Sequence, residues 1–438
     1  MIFKRKLYDK LLVWKQQTAG TKALLIEGAR RIGKSTLVEE FAKNEYRSYL
    51  MIDFNKVSDS VISAFNNYMN DLDTFFLILS SEYGVRLYPK ESIIIFDEIQ
   101  QFPKARQAIK YLVADGRFDY IETGSLISIK ENVNDITIPS EERTLLMYPM
   151  DFEEFAWAMN EEPLMAYIRQ CFDKKVPLEQ GIHAKAMLLF RQYMIVGGMP
   201  KSLSAYLENN RSFEMADMEK RDILTLYRND IKKIKSGYRS SVLSIFDQIP
   251  AFLSRSERRV VMNRIEKGAS FPKYHDTFFW LSDSMIANEC FNCSDPNVGL
   301  SLNEDRTYVK CYMGDTGLLI SHTFDENEIS DGELYREILL GKLSVNEGMF
   351  YENVIAQMLV AAGHKLYFYT RYNQEKHRND MEIDFILSNH SKLRYKIFPI
   401  EVKSNDKYSI RSLTRFNESF RQRIGGSYVI HPKNLSVK

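Results

Sequence analysis

A glycine-rich segment near the start of the chain carries residue types that hold phosphate. Its residues are, in order, Gly28, Ala29, Arg30, Arg31, Ile32, Gly33, Lys34, Ser35 and Thr36. Glycines let the backbone wrap around phosphate oxygens, whose charge is offset by successive N–H groups and a helix start. Lys34 would reach the β and γ phosphates, and the Ser35 hydroxyl would ligate Mg²⁺. A surface turn is the alternative, but the apolar run before the segment and the helical pattern after it favour an ATP site.

An acidic pair, Asp97 and Glu98, follows the apolar run from Ser92 to Phe96. In that place Asp97 would hold Mg²⁺ through water, and Glu98 would polarise the attacking water as general base. Such a pair on its own is more often structural than catalytic. Its combination with the phosphate-holding segment predicts hydrolysis of ATP.

Further candidate residues lie near these two segments. Thr123 and Ser125 follow the next apolar run, where a hydroxyl could sense the γ-phosphate, orient the water, or simply form a turn or helix cap. Arg30, Arg31 and Arg143 are candidates for stabilising charge on the transferring phosphoryl group, although arginines are commonly solvated. The sequence does not show whether a neighbouring subunit supplies an arginine.

Short apolar runs alternate with helical patterns over about the first 150 residues. This order predicts an α/β fold with a parallel sheet and helices on both faces. A charge-rich helical region is expected from Glu161 to Lys235, with a turn at Gly197 to Pro200. Three helices, the last reaching Cys290, and then a strand-like segment over residues 240–325 have the order of a winged helix. Such a region could read DNA or serve as a rigid adaptor.

The last part of the chain combines acidic and basic residues on predicted strands. Asp384 lies in the predicted strand EIDFIL, and Glu401 and Lys403 lie in the predicted strand IEVKS. Two-residue spacing on a strand points Glu401 and Lys403 to one face. Asp384 and Glu401 would ligate Mg²⁺ and Lys403 would stabilise charge or position water, which suits metal-dependent phosphodiester cleavage. The alternative is a chance E-V-K string with Asp384 in a surface turn.

Taken together, these segments resemble the prokaryotic AAA-type ATPases related to the archaeal ATPase and STAND groups. The resemblance is carried by GARRIGKST, IIIFDEIQ, TGS and ERTLLMYPMDFEEF, and it continues through VGGMP, CYMGDTGLL, EGMFYENVIAQ, EIDF and EVK. It covers most of the chain and implies a P-loop ATPase. One departure is Glu142, which stands where these families usually have a glycine before the arginine, and it weakens the role carried to Arg143.

These ATPases carry a C-terminal domain similar to PD-(D/E)XK nucleases. The resemblance implies a small restriction-endonuclease-like α/β fold, in which Glu352 on a helix completes the site of Asp384, Glu401 and Lys403. Four parts are then expected: a P-loop AAA-type ATPase domain, a helical region, a winged-helix-like region and a nuclease-like domain, over residues 1–160, 161–239, 240–325 and 326–438.

The composition excludes several classes of protein. The chain has 438 residues, of which 45% are hydrophobic and 27% charged, as in globular rather than disordered proteins. No apolar run has the ~18 to 20 residues of a membrane-spanning helix, and the charged N-terminus lacks a signal-peptide pattern. We therefore expect a cytoplasmic protein with no membrane partner. Four cysteines are too few for a disulfide scaffold, and Cys290 and Cys293 lack the second Cys or His pair of a zinc site.

Charge is unevenly distributed along the chain. Residues 341–438 carry 16 Lys and Arg against 9 Asp and Glu, a net charge of +7, and the rest of the chain carries −6. This asymmetry suggests a surface for a polyanion such as DNA, although a solvated basic face is the more common explanation.

Three functions remain open from the sequence. The first is an ATP-regulated nuclease for DNA processing or defence. The second is a STAND-type switch, in which nucleotide controls homo-oligomer formation and an inactive C-terminal domain binds a partner or DNA. The third is a DNA-binding regulator that uses basic residues of the winged-helix region, such as Arg258 and Arg259.

Overall fold

The computed structural model describes residues 1–125, 138–234, 237–255, 258–260, 271–325, 332–342, 347–373, 378–389, 396–405 and 407–437. By its internal contacts the chain divides into two compact units, Met1–Tyr148 and Pro149–Lys438. The division into four domains stays a prediction. Across the described ranges, every helix is too short or too polar to span a lipid bilayer.

The first unit is an α/β unit, as predicted, with one sheet of five strands. Its helices are α1 Leu7–Gln17, α2 Lys34–Glu45, α3 Asp59–Asn67, α4 Leu72–Tyr83 and α5 Pro103–Asp115. Its strands are β1 Ala23–Glu27, β2 Ser48–Asp53, β3 Ser92–Asp97, β4 Asp119–Gly124 and β5 Glu142–Leu146. The strands pair in the order β2-β3-β4-β1-β5, and every pair is parallel.

The central strands of this sheet are covered on both faces. Strands β1 and β3 are buried along their whole length. Alternate residues such as Leu25 and Phe96 belong to one hydrophobic core with α3, α4 and α5, while α2 contacts β2, β3 and β4. Because these faces are closed, the carboxyl ends of the strands are the place where polar side chains converge. The loop after β1, the acidic pair at the end of β3 and the hydroxyls at the end of β4 all lie at that edge.

The second unit contains the remaining helices and strands. Its helices are α6 Phe152–Ala158, α7 Glu162–Lys174, α8 Gln180–Val196, α9 Pro200–Glu208, α10 Phe213–Lys232, α11 Arg239–Leu253, α12 Phe271–Asp283, α13 Thr316–Thr323, α14 Glu333–Leu340, α15 Glu347–Ala361 and α16 Arg411–Ser419. Its strands are β6 Ala287–Cys293, β7 Glu304–Met313, β8 Leu366–Asn373, β9 Arg378–Ile383, β10 Phe385–Asn389, β11 Lys396–Val402 and β12 Tyr428–Ile430. They form one sheet in the order β7-β6-β8-β9 and another in the order β10-β11-β12.

Two predictions of secondary structure in this unit are wrong. The helix expected to reach Cys290 ends at Asp283, because Met285 has a φ of 56°, which an α-helix does not accommodate. Residues Ala287–Cys293 form β6 instead. The strand predicted around Asp384 is interrupted at that residue, since β9 and β10 lie on either side of it and belong to different sheets.

The winged helix stays a prediction. Most of its expected second helix lies outside the described residues. Strands β6 and β7 pair antiparallel, as a wing would, but β6 also pairs in parallel with β8. These strands therefore belong to a sheet that combines residues from both sides of the predicted boundary at 325.

Candidate functional site

The segment Gly28–Ser35, called here the phosphate loop, connects β1 to α2. A Cβ atom at Gly28 would overlap the backbone carbonyl oxygen of Met147 and lie 2.5 Å from Cδ1 of Ile32, so only glycine fits at this position. Gly33 precedes α2 with a φ of 91°, a left-handed conformation that glycine adopts without strain. The loop therefore turns tightly and ends with the free N–H groups of a helix start, which is the geometry that holds phosphate.

Lys34 lies inside this loop. Its Nζ atom donates hydrogen bonds to the carbonyl oxygens of Gly28 at 2.8 Å and Ala29 at 2.9 Å. Burial lowers the pKa of Lys34 to about 8, so the side chain is still mostly charged at neutral pH. Lys34 is bonded to neutral carbonyls, and the carboxylates of Glu98 and Asp97 favour its charged form, so its ammonium can bind a negatively charged ligand.

Three side chains from three elements meet at the end of β3. The hydroxyl of Ser35 donates to Oδ1 of Asp97 at 2.8 Å, and the hydroxyl of Thr123 donates to the same oxygen. Burial raises the pKa of Asp97, against the lowering effect of these two hydrogen bonds. Within the described residues no basic side chain forms an ion pair with Asp97. A carboxylate and a hydroxyl side by side, without an internal cation, are hard oxygen donors that suit Mg²⁺.

Glu98 follows directly with a φ of 55°, an unusual left-handed conformation for this residue type. Its backbone N–H donates to Oγ1 of Thr123 at 3.4 Å, and its carboxylate accepts a hydrogen bond from Nε2 of Gln100 at 2.5 Å. Both bonds fix where the carboxylate lies. The structure thus brings Lys34, Ser35, Asp97, Glu98 and Thr123 together at one edge of the sheet.

The other predicted loop residues have less specific surroundings. Ala29 and Ile32 are buried, Arg30 is half-buried, and Arg31 and Thr36 are exposed. The side chain of Ser125 is buried, and no described residue forms a hydrogen bond with its hydroxyl. Their predicted roles toward nucleotide stay predictions.

The departure at Glu142 has a structural explanation. Its carboxylate forms a two-pronged ion pair with Arg106 of α5, with distances of 2.9 Å to Nε and 2.8 Å to Nη2. Both side chains are almost inaccessible to solvent. Arg143, the next residue along β5, is exposed. Glu142 therefore connects β5 to α5 through this ion pair. Within the described structure, no contact links Arg143 to the phosphate loop.

In the second unit, three of the predicted C-terminal residues line one cavity of about 470 Å³. Asp384 lies at the break between β9 and β10, where its Oδ2 accepts the backbone N–H of Val402 at 2.8 Å. Lys403, just after β11, lies 3.0 Å from Oε2 of Glu401. Burial raises the pKa of Glu401 despite the nearby ammonium of Lys403. The strand ends at Val402, so the ion pair brings Glu401 and Lys403 together while their predicted roles stay predictions.

Glu352 of α15 is fully buried and already has partners. One carboxylate oxygen accepts from the hydroxyl of Tyr312 and lies 3.2 Å from Nζ of Lys310, and the other is ion-paired with Arg258. Among the described residues, no group of three or more His, Cys, Asp or Glu side chains has the geometry of a metal site. The magnesium ligands predicted here, Asp384 and Glu401, are two carboxylates, and their role toward a metal stays a prediction.

Cys290 and Cys293 are both buried in β6. The Sγ atom of Cys293 donates to the carbonyl oxygens of Asp295 at 3.5 Å and Leu300 at 3.7 Å. Burial raises the pKa of the Cys290 thiol, which keeps it protonated. These contacts describe two core thiols.

The first unit is characterised by its parallel strand order, by the phosphate loop and by the acidic pair Asp97 and Glu98. Residues 20–156 match the family model of an AAA domain. We call this range the AAA-type region, and the resemblance of its motifs to AAA-type ATPases is confirmed. Residues 187–328 match a domain of unknown function, DUF8612, and residues 347–438 match another, DUF4143. Since neither of these models names a nuclease, the nuclease-like domain stays a prediction.

Several solved structures are distantly similar. Cdc6p from Pyrobaculum aerophilum has 11% identity and a TM-score of 0.25, with 77% of this chain and 93% of that chain covered. A STAND protein with a tetratricopeptide repeat sensor from Pyrococcus horikoshii has 11% identity and a TM-score of 0.29, with 82% and 48% covered. AMPPCP-bound DnaA from Aquifex aeolicus has 10% identity and a TM-score of 0.26, with 64% and 89% covered. Likenesses this weak establish no function, and no curated protein matches the sequence.

The structure adds residues to the AAA-type region's site that the sequence did not reveal. Arg5, before α1, donates to the carbonyl oxygens of Ile32 at 2.9 Å and Tyr148 at 2.6 Å, and so holds the phosphate loop from outside. Gln100 holds the carboxylate of Glu98. Nothing in the sequence distinguishes Arg5 from the other charged residues of the N-terminal stretch. Gln100, in contrast, lies two residues after Glu98, and that spacing is a local signal.

Proposed function

We propose that the AAA-type region binds ATP with Mg²⁺ and hydrolyses it. The observation that supports this most directly is Asp97, a buried carboxylate whose bonded partners are the hydroxyls of Ser35 and Thr123. Ser35 and Asp97 are the residues that would hold the metal, which when bound supplies positive charge to the phosphate oxygens. The backbone N–H groups of the phosphate loop and the ammonium of Lys34 would bind the phosphates.

In this proposal the protein's part in hydrolysis is to position water and to stabilise charge. Glu98 is the general base that takes a proton from the attacking water, held in place by its bonds to Gln100 and Thr123. Lys34 stabilises the negative charge that develops on the γ-phosphate. Neither role requires a covalent intermediate.

The test is ATP binding and turnover by the intact protein and three variants. Glu98→Gln keeps the shape of the side chain but removes the base, so turnover should fall by about 10²- to 10⁴-fold while ATP still binds. Lys34→Ala should weaken binding as well as turnover. Glu82→Gln, an exposed glutamate on α4, is the matched control and should behave like the wild type. Equal turnover in the wild type and Glu98→Gln would contradict the proposal.

A second candidate function concerns the cavity of the second unit. We propose that it contacts the phosphate backbone of nucleic acid. Hydroxyl and amide groups and three carboxylates line it together with four basic side chains, Arg258, Lys403, Lys407 and Arg411. Cations that follow a groove supply the sequence-independent part of nucleic-acid binding. The net charge of +7 over residues 341–438 agrees with this role.

Of the outputs left open by the sequence, this arrangement favours a nucleotide-controlled switch of the STAND type over a nuclease. Glu352 is paired with Lys310 and Arg258, and the predicted ligand Glu401 lies 3.0 Å from Lys403, so basic side chains already accompany these carboxylates. The bound nucleotide, ATP or ADP, would then control how several copies of this chain assemble and how tightly they bind nucleic acid. Light scattering of the protein with ATP and with ADP tests the assembly, and a size that ignores the nucleotide would contradict it.

Nucleic-acid binding is tested by the fluorescence anisotropy of labelled duplex and single-stranded DNA in EDTA, over a range of salt concentrations. Substituting both Lys407 and Arg411 by Ala should reduce the slope of log affinity against log salt by about two. Lys365→Ala, an exposed basic residue outside the cavity, is the control. Cutting of DNA with Mg²⁺ or Mn²⁺ that Asp384→Asn abolishes would instead support the nuclease.

A further inference from the structure

A lysine from outside the predicted constellation lies at the centre of the C-terminal acidic residues. The Nζ atom of Lys310, on β7, is 3.2 Å from Oε1 of Glu352, 3.1 Å from Oε1 of Glu382 and 4.0 Å from Oδ1 of Asp384. We call these four residues the lysine-centred cluster. Lys310 precedes the nearest of the acidic residues by 42 positions. Sequence motifs around the carboxylates therefore give no indication of it.

Within the cluster, the buried pair of Lys310 and Glu352 is compensated without any added ion. The side chains of Lys310 and Glu352 have 0% exposure, and Lys310 Nζ also lies 5.0 Å from the centre of the Phe368 ring. Glu352 has two further partners, the hydroxyl of Tyr312 and the guanidinium of Arg258. A charge in such a place is tolerated only when it is paired and hydrogen-bonded, and here each member of the buried pair compensates the other.

A divalent cation would compete with Lys310 for the same space. Magnesium and calcium need oxygen ligands at roughly 2.0 to 2.6 Å, and these carboxylate oxygens already surround an ammonium group. Admitting the metal would require a fully buried lysine to move away from its acidic partners, or two cations to share one set of oxygens. Both arrangements are electrostatically costly.

We infer that Lys310 is the resident cation of the C-terminal cavity, doing for Glu352, Glu382 and Asp384 what a metal ion would do, so that the cavity works without a divalent metal. The side chains of Glu382 and Asp384 are 27% and 14% exposed, so the cluster borders the cavity. Lys310 thereby offsets part of the negative charge that Glu382 and Asp384 present to whatever ligand the cavity takes. The inference stands whether or not the AAA-type region hydrolyses ATP.

The test is Mn²⁺ binding, measured by electron paramagnetic resonance on the full-length, nucleotide-free protein. Asp384→Asn is the reference, because Mn²⁺ bound elsewhere, for instance beside Asp97, is unaffected by it. We expect the wild type and Asp384→Asn to bind Mn²⁺ identically. A Mn²⁺ site present in the wild type and lost in Asp384→Asn would overturn the inference by itself.

Substitution of the lysine gives the converse result. Lys310→Met keeps most of the side chain's volume without its charge and should gain a Mn²⁺ site, at least about tenfold tighter than any in the wild type at this place. The site should disappear in the double variant with Asp384→Asn, and it should be absent from Lys310→Arg, which keeps the charge.

Stability supplies a readout that does not depend on counting ions. Without metal, Lys310→Met should melt at a lower temperature than the wild type, and Mn²⁺ should restore part of the loss because a ligand that binds only the folded state stabilises it. A folded Lys310→Met protein that melts like the wild type in EDTA would overturn the inference. If this variant does not fold, the comparison of the wild type with Asp384→Asn still decides.

Discussion

The AAA-type region and the lysine-centred cluster use the same kinds of side chain in opposite ways. In the first, Asp97 is bonded to the hydroxyls of Ser35 and Thr123, while the nearest lysine contacts backbone carbonyls. In the second, Glu352 is bonded directly to ammonium and guanidinium groups. Among the described residues Asp97 forms no ion pair, although it interacts with the charge of Lys34, whereas Glu352 forms two.

This difference shows that motif spacing alone does not distinguish an ion site from an ion pair. Asp384, Glu401 and Lys403 have the spacing of a metal-dependent site, as Ser35 and Asp97 do. What separates the two places is the cation that the fold brings to one of them from a distant strand. The charges around the carboxylates in the AAA-type region and in the lysine-centred cluster therefore predict how stability and metal binding respond to substitution.

The largest expected effect is on stability in the second unit. Glu352→Gln leaves the buried ammonium of Lys310 without its principal partner and should lower the free energy of unfolding by about 3 to 5 kcal/mol. Thermal unfolding with saturating ATP separates the transitions, because ATP stabilises only the unit that binds it. Glu418→Gln, exposed on α16, is the control. A loss below about 1 kcal/mol would show that the pairing contributes little.

The next effect is on metal dependence in the AAA-type region. Asp97→Asn should remove the tightening of ATP binding by Mg²⁺, a loss of about 100-fold or roughly 2.7 kcal/mol, with little change in EDTA. Titration calorimetry with and without Mg²⁺ measures this. The same change at the other place, Asp384→Asn, should leave the Mg²⁺ effect on ATP intact. If Asp97→Asn and Asp384→Asn lost the Mg²⁺ effect on ATP binding equally, the proposed difference between the AAA-type region and the lysine-centred cluster would be wrong.

A smaller effect is expected at Gln100, which positions Glu98 without contacting the reacting atoms. Gln100→Ala removes one hydrogen bond to the carboxylate and should lower kcat about fivefold, while KM for ATP stays the same. Gln101→Ala, the exposed neighbour, is the control. A rise in KM without a change in kcat would assign Gln100 to substrate binding instead.

The smallest effect concerns pH. Burial, and then the neighbouring carboxylate of Glu142, raises the pKa of Glu122 on β4 well above its ordinary value. The folded protein therefore keeps this side chain neutral, and its contribution to stability is present at low pH and is lost as pH rises toward the folded-state pKa. Glu122→Gln should gain stability relative to the wild type between pH 5 and 8, measured by urea unfolding. A pH-independent difference would indicate that Glu122 is charged.

Local signals were sufficient for the AAA-type region. The phosphate loop, the end of β3 and the start of α2 at Lys34 lie where the sequence predicts, because each element carries its own glycine, apolar run or acidic pair. Strand β5 was missed, since Glu142–Leu146 is a partly exposed edge strand without an apolar run. The ion pair of Glu142 with Arg106 was missed for another reason, because its partner lies 36 residues away.

The C-terminal half shows more clearly which features a local sequence pattern does not predict. Helix α15 and strands β8 and β11 were predicted, yet the break at Asp384 was not, because the apolar pattern continues unchanged from β9 into β10. Lys310 could not be assigned to the acidic residues by any local pattern, since only the pairing of β6 with β7 and β8 brings it among them. In our proposal the long-range placement of this one charge decides what the region binds.

Arg5 has a mechanical consequence. Its guanidinium is bonded both to the carbonyl of Ile32 in the phosphate loop and to that of Tyr148, the last residue of the first unit. Tension applied to the polypeptide where it leaves this unit would reach the loop through this side chain and through the backbone hydrogen bond from Met147 to Glu27. We expect that pulling at this exit point accelerates nucleotide release less in Arg5→Ala than in the wild type, which single-molecule force measurements would show.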